Sequence, residues 1–181
     1  IFPELSIPEN LVDEFKKWKF FDKCIIIAGS TYYNDNDKYY SKACVYVGGE
    51  PHLTDKIIPA PNTEKIESAG KGLSDGHKIK VFQGTEIGSF AVLICSDYLA
   101  QHIERLIPIH QLDLYIVISF DSKGSQFLDR LRYVCQDSVE GIFVIYLNTC
   151  MTEFGDGQSS VFADIPSKMM DNFQELGHTD K

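Results

Sequence analysis

Cys95 stands in the run Ala91-Val92-Leu93-Ile94-Cys95-Ser96-Asp97-Tyr98. An apolar strand pattern leads into it and a helical pattern follows. Such a corner exposes one side chain at the end of a strand. It also leaves the next backbone N–H groups without internal acceptors, because the first turn of a helix has none. Those groups favour a thiolate over a thiol and can hold an oxyanion. A thiolate in that place is a nucleophile for acyl chemistry. On this context alone, a structural cysteine closing a strand is the commoner outcome, so the corner needs partners.

Other chemistries are poorly supplied. The histidines (His52, His77, His102, His110, His178) form no ligand-spaced pair. No Gly-x-Ser-x-Gly is present for a serine hydrolase. Ser68-Ala69-Gly70-Lys71-Gly72 is glycine-rich but lacks the Gly-Lys-Ser/Thr of a phosphate loop. Asp35 and Asp37 lack the glycine and late glutamate of a calcium loop. The cysteines (Cys24, Cys44, Cys95, Cys135, Cys150) contain no Cys-x-x-Cys pair, which argues against structural zinc. Their odd number, their wide spacing and the lack of a signal-peptide pattern fit reduced thiols in a cytoplasmic protein. Neither a metal nor a cofactor is expected.

The elements that must position Cys95 read as follows. Ser6-Ile7-Pro8-Glu9 is a helix start, with Ser6 as cap, Glu9 answering it and Pro8 in the first turn. Leu11, Phe15 and Trp18 then fall on one face. A buried strand covers 24–28 and ends at Gly29-Ser30. The polar, aromatic stretch 32–40 is a loop or hairpin tip. Strands follow at 43–47 and 53–58, the second closed by Pro59 and Pro61. An irregular loop spans 62–77, and strands at 78–82 and 90–94 flank a glycine-containing turn. A helix over 98–106 stops before Pro108. A strand at 114–120 precedes a helix over 125–139 with Leu128, Leu131 and Cys135 inward. Strands at 142–147 and 159–162 complete the pattern. Early hairpins and late strand–helix–strand units predict one layered α/β domain with a mixed sheet over 1–181.

Three short motifs add to this, standing along the chain in the order Glu4, Lys56, Cys95. Ile94-Cys95-Ser96-Asp97, with Gly88 ahead of its strand, resembles the nucleophile motif of the nitrilase (carbon–nitrogen hydrolase) superfamily. Lys56 is followed by Pro61 five residues on and Glu64 eight residues on, a spacing typical of that family. Phe2-Pro3-Glu4 resembles the strand end that carries its catalytic glutamate. Ala28-Gly29-Ser30, Leu147-Asn148 and Gly157-Gln158-Ser159-Ser160 agree more weakly. The resemblance runs from residue 2 to about 163. Each motif alone is common by chance; three in order with the lysine-to-glutamate spacing kept are far more specific.

The resemblance implies a four-layer α-β-β-α sandwich with mixed sheets. It implies a Glu-Lys-Cys triad: Cys95 as nucleophile, Glu4 as general base, and Lys56 with the Ser96 backbone N–H stabilising the oxyanion. Glu64 would orient Lys56 or the substrate. The substrate would be a small amide or nitrile, and a homo-oligomer is expected by analogy. Only Ile1 and Phe2 precede Pro3, where the family has a further strand and helix, so a longer native chain is expected. The segment Ile118-Ser119-Phe120-Asp121 also departs from the family's stretch with proline and an aromatic. Two alternatives stay open: a nitrilase-like module of a larger protein with a binding or regulatory role, and an acyl transferase using the same residues.

Bulk properties exclude other classes. Acidic residues outnumber basic ones by 26 to 17, and the net charge is −9. A concentrated basic face for nucleic-acid phosphates is therefore not expected. The apolar runs, such as 114–120, are too short to span a bilayer as a helix.

Overall fold

The computed structural model describes residues 1–60, 65–66, 71–100, 107, 111–121, 125–137, 142–149 and 159–163. In chain order the elements are β1 (Phe2–Glu4), α1 (Glu9–Phe15), β2 (Ile25–Asp35), β3 (Lys38–Val47), β4 (Glu50–Asp55), β5 (Lys65–Ile66), β6 (Lys71–Gly72), β7 (Val81–Thr85), β8 (Gly88–Ile94), β9 (Leu114–Ser119), α2 (Ser125–Asp137), β10 (Phe143–Asn148) and β11 (Ser160–Ala163). Short 3-10 turns cover Phe21–Lys23 and Cys95–Leu99.

Two sheets form. The first has the order β1-β2-β3-β4, with β1 parallel to β2 and the rest antiparallel. The second has the order β11-β10-β9-β8-β7, with a parallel centre of β8, β9 and β10 and an antiparallel strand at each edge. Between them lies one apolar cluster that joins Ile27, Ala43 and Val45 of the first sheet to Phe82, Phe90, Val92 and Ile94 of the second. On the other face of the first sheet, Ile26, Ala28, Cys44 and Tyr46 bury Phe15 of α1. On the other side of the second sheet, Phe127 of α2 stacks with Tyr98 and Tyr146. The layers are therefore helix, sheet, sheet, helix: the four-layer sandwich with mixed sheets.

Several local expectations are corrected. Strand β2 does not end at Gly29-Ser30. Gly29 takes a φ of +71°, the register slips between Ile27 and Ser30, and pairing resumes from Ser30↔Ala43 to Asp35↔Lys38. The glycine makes a bulge where a turn was read. The polar stretch is the tip of this long hairpin, with Asn36 and Asp37 at φ 50° and 62°, a conformation these residues tolerate. Ser6 does not cap α1: its hydroxyl donates to the Pro3 carbonyl at 2.7 Å, and Pro8 occupies the cap position. The helix ends at Phe15, so only Phe15 of the expected face is buried, and Trp18 stays 52% exposed. From Cys95 the chain makes a five-residue 3-10 turn to Leu99, which takes in the first two residues of the helix expected over 98–106; 101–106 lie outside the described residues. Strand β4 stops at Asp55, because the amides of Ile57 and Ile58 turn to another partner described below. In α2, Phe127, Leu131, Val134 and Cys135 are buried while Leu128 is only half-buried.

Candidate active site

Glu4 closes β1 opposite Ser30 of β2. Leu5 then turns the chain away with a φ of +54°, its N–H donating to the Ser30 carbonyl at 3.2 Å. The Glu4 side chain is 2% exposed. One carboxylate oxygen accepts from Lys56 Nζ at 2.9 Å, the other from the Phe120 backbone N–H at 2.9 Å. The end of the first sheet is thereby tied to the residue following β9 of the second.

Lys56 is the first residue beyond β4 and is 1% exposed. Its backbone is held from both sides. Its N–H donates to the Ser41 carbonyl at 2.8 Å, and its carbonyl accepts from the Gly76 N–H at 3.0 Å. A side chain at Gly76 would collide with that carbonyl oxygen, so the strap over Lys56 needs a glycine. One residue back, the Asp55 carboxylate accepts from the N–H groups of His77 and Lys78 at 3.0 and 3.2 Å.

Cys95 follows β8 directly, is 8% exposed and has a φ of +50°. A left-handed non-glycine residue is uncommon and strained. Here it marks the sharp corner at which the strand stops. Ile94 pairs with Ile118, so Cys95 comes level with Ser119, next to the Phe120 amide that holds Glu4. The Ser96 N–H lies in the 3-10 turn that begins at the thiol.

The two residues after Cys95 are bonded to the two after Lys56. The Ser96 hydroxyl donates to the Ile58 carbonyl, and the Asp97 carboxylate accepts from the N–H groups of Ile57 and Ile58 at 3.0 and 2.7 Å. Asp97 is fully buried. Burial pushes its carboxyl up to about 7, against the two amide bonds and the Lys56 charge, which pull it down; Glu4 adds to the rise. Burial also raises the Tyr146 phenol, on which the charges of Asp121, Cys95 and Glu4 act in the same direction.

A second brace holds Asp121, the residue after Phe120. Asn148, at the end of β10, accepts from the Asp121 N–H and donates to the Asp121 carbonyl, both at 2.8 Å, while its own N–H donates to Ser159 Oγ at 3.1 Å.

Of the residues singled out in the sequence, Glu4 and Lys56 are in direct contact, and Cys95 stands at the adjoining strand end. Glu64 lies outside the described residues. Asp97, the Phe120 amide and the Asn148–Asp121 brace had no assigned role in the sequence. The sequence signals were the place of Asp97 within the nucleophile motif and that of Asn148 at the end of a late strand. Among the described residues, no group of three or more His, Cys, Asp or Glu is placed to hold a metal ion.

No protein-family model matches the chain, and no curated protein sequence matches it. Solved structures do. Nit3 of Saccharomyces cerevisiae, a member of branch 10 of the nitrilase superfamily, matches with a TM-score of 0.58 at 18% identity, over 82% of this chain and 62% of that one. A carbon–nitrogen hydrolase from Helicobacter pylori matches with 0.60 at 15%, over 85% and 60%. A glutamine-dependent NAD+ synthetase from Acinetobacter baumannii matches with 0.59 at 16%, over 87% of this chain and 31% of that one. The chain thus spans about three-fifths of the length of the first two and under a third of the last. It has the fold of the nitrilase, or carbon–nitrogen hydrolase, superfamily.

Proposed function

We propose that this chain carries the catalytic core of a carbon–nitrogen hydrolase acting on a small amide or nitrile through a thioester on Cys95. The observation that carries the reading is the buried Glu4–Lys56 pair at the strand ends beside a left-handed cysteine. Stability is a weak reason to bury such a pair, since apolar replacement of buried ion pairs is often neutral or stabilising. Chemistry is a better one. A structural neighbour supports it: a glutamate-to-glutamine mutant of an amidase from Nesterenkonia, matching with a TM-score of 0.60 at 16% identity over 87% of this chain and 61% of that one, shows covalent addition of the acetamide moiety of fluoroacetamide at its active-site cysteine.

For an amide the steps are these. The Glu4 carboxylate takes the thiol proton, and the Cys95 sulfur attacks the carbonyl carbon. Negative charge gathers on the carbonyl oxygen, where the Lys56 ammonium and the Ser96 N–H stabilise it. The C–N bond breaks, the amine leaves with the proton from Glu4, and a thioester remains. Water then gives a proton to Glu4 and attacks the thioester. The acid is released and the proton returns to the sulfur. Glu64 has the supporting role of orienting Lys56 or substrate. Turnover of a panel of short amides and nitriles tests this: Cys95→Ala abolishes turnover with the fold retained, and full activity in that variant overturns the reading.

A second reading is a module of this fold within a larger polypeptide. The likeness to the much longer NAD+ synthetase chain favours it. The two readings are compatible when the module keeps its chemistry.

A further inference from the structure

We propose that Asp97 is a positioning residue: with the Ser96 hydroxyl, its carboxylate staples the segment Lys56-Ile57-Ile58 to the nucleophile corner and so sets the Lys56 ammonium against Cys95. The inference rests on the hydrolase reading and adds to it a residue that touches no reacting atom.

Lys56 leaves the first sheet at the end of β4, and Cys95 leaves the second at the end of β8. Two strand ends in different sheets share no backbone ladder, so something else must fix their spacing. Three hydrogen bonds do, and all run between the residues immediately after each functional side chain: Ser96 Oγ to the Ile58 carbonyl, and the Ile57 and Ile58 N–H groups to Asp97. Both carboxylate oxygens of Asp97 thus accept from amides 40 and 39 residues away. A carboxylate that served only to cap its own turn would spend them locally. Burying this group fully carries a desolvation cost that a neutral local turn would avoid. In return, two amides that have left the β4 ladder receive acceptors.

Asparagine at this position would keep one acceptor and bring an NH2 group against one of the two N–H donors. The charges that face Asp97 are the Lys56 ammonium and the Glu4 carboxylate, and the Cys95 thiol is two residues away. Loss of the staple therefore changes the electrostatic setting of the thiol as well as its geometry.

The test uses the full chain as wild type, Asp97→Asn and Ser96→Ala. Cys95 alkylation by iodoacetamide is followed by peptide mass mapping across pH values of about 5 to 9, a range that brackets ordinary thiol ionisation. Hydrogen exchange at the Ile57 and Ile58 amides is measured alongside. The expected result for Asp97→Asn is slower Cys95 alkylation, on the order of 100-fold for a displacement near 1 Å, and a shifted midpoint of its pH profile. The Ile57 and Ile58 amides lose protection while those of β8 and β9 keep it. Ser96→Ala gives a smaller change in the same direction, and it decides the matter if Asp97→Asn does not fold. Unchanged rates and midpoints with lost amide protection would show a merely structural staple and overturn the proposal, as would unchanged protection. Wild-type Cys95 reacting no faster than exposed Cys24 overturns the hydrolase reading, and the inference with it, before either variant is considered.

Discussion

Lys56 and Glu4 are buried charges of opposite sign, paired at 2.9 Å. Removing the lysine side chain takes this cation away from a carboxylate at a site almost closed to water. Lys56→Ala is expected to destabilise the fold by about 3–5 kcal/mol, as broken buried pairs do; chemical denaturation measures it, and a loss near zero contradicts the pairing. Asp97 carries a pH signature. Its folded value of about 7 exceeds its ordinary 3.8. Between those values the unfolded chain has already lost the proton while the native one keeps it. Stability therefore falls as pH rises from about 4 to 7, by an amount on the order of a few kcal/mol, and the fall is complete above the folded value. Denaturation midpoints across that range should flatten in Asp97→Asn, and an unchanged slope in the variant contradicts the assignment. At this scale residue type and spacing singled out Glu4, Lys56 and Cys95, and the structure brings the first two into contact. The role of Asp97 was not legible, because it depends on two backbone amides about 40 residues away and no local pattern encodes a partner at that distance.

The elements bring these residues to their places through a few close approaches. Gly29 makes the bulge in β2, and a side chain there would strike the Pro3 carbonyl, one residue before Glu4. Its φ of +71° adds a strain of about 1–2 kcal/mol for any L-residue. Gly29→Ala is expected to move β1, lower stability and reduce Cys95 reactivity together; thermal melting and alkylation rates check both, and normal values for both would contradict the packing. The same glycine explains why the sequence placed a strand end at residue 29. Glycine followed by serine reads as a terminator locally, whereas the tertiary structure uses the glycine to bend a strand that continues to Asp35. The 3-10 turn Cys95–Leu99 takes in Tyr98 and Leu99 of the helix expected over 98–106, whose residues 101–106 lie outside the described ones. Asp97, early in that segment, bonds across to Ile57 and Ile58, and the turn closes as a 3-10 helix at Leu99. The central strands at 90–94 and 114–119 were legible because apolar residues run through them without a break, the pattern of strands buried on both faces.

At the scale of the whole molecule, the site exists because two sheets meet face to face. Glu4 and Lys56 belong to one, while Cys95 and the Phe120 amide belong to the other. The packing between them sets the distance across which the proposed chemistry acts. Phe90 is fully buried there and stacks on Phe82 with ring centroids 4.5 Å apart. Phe90→Ala is expected to cost about 3–5 kcal/mol through the cavity it leaves, measured by urea denaturation, and a cost below 1 kcal/mol would contradict a close-packed interface, for which ~3 kcal/mol is the lower bound. Periodicity along the chain pointed to a layered α/β domain; it could not divide the strands between two sheets, because that division is a matter of long-range pairing. No helix among the described residues is long and apolar enough to cross a membrane.

The most direct test of the central claim is mass spectrometry of the intact chain after brief exposure to a small thiol-reactive electrophile near neutral pH, with Glu4→Gln and Lys56→Ala run alongside. The account predicts a single fast adduct, mapped to Cys95 and slowed in both variants, because the thiol is activated by an assembled site. Slow labelling spread over the exposed cysteines and indifferent to both substitutions would contradict it.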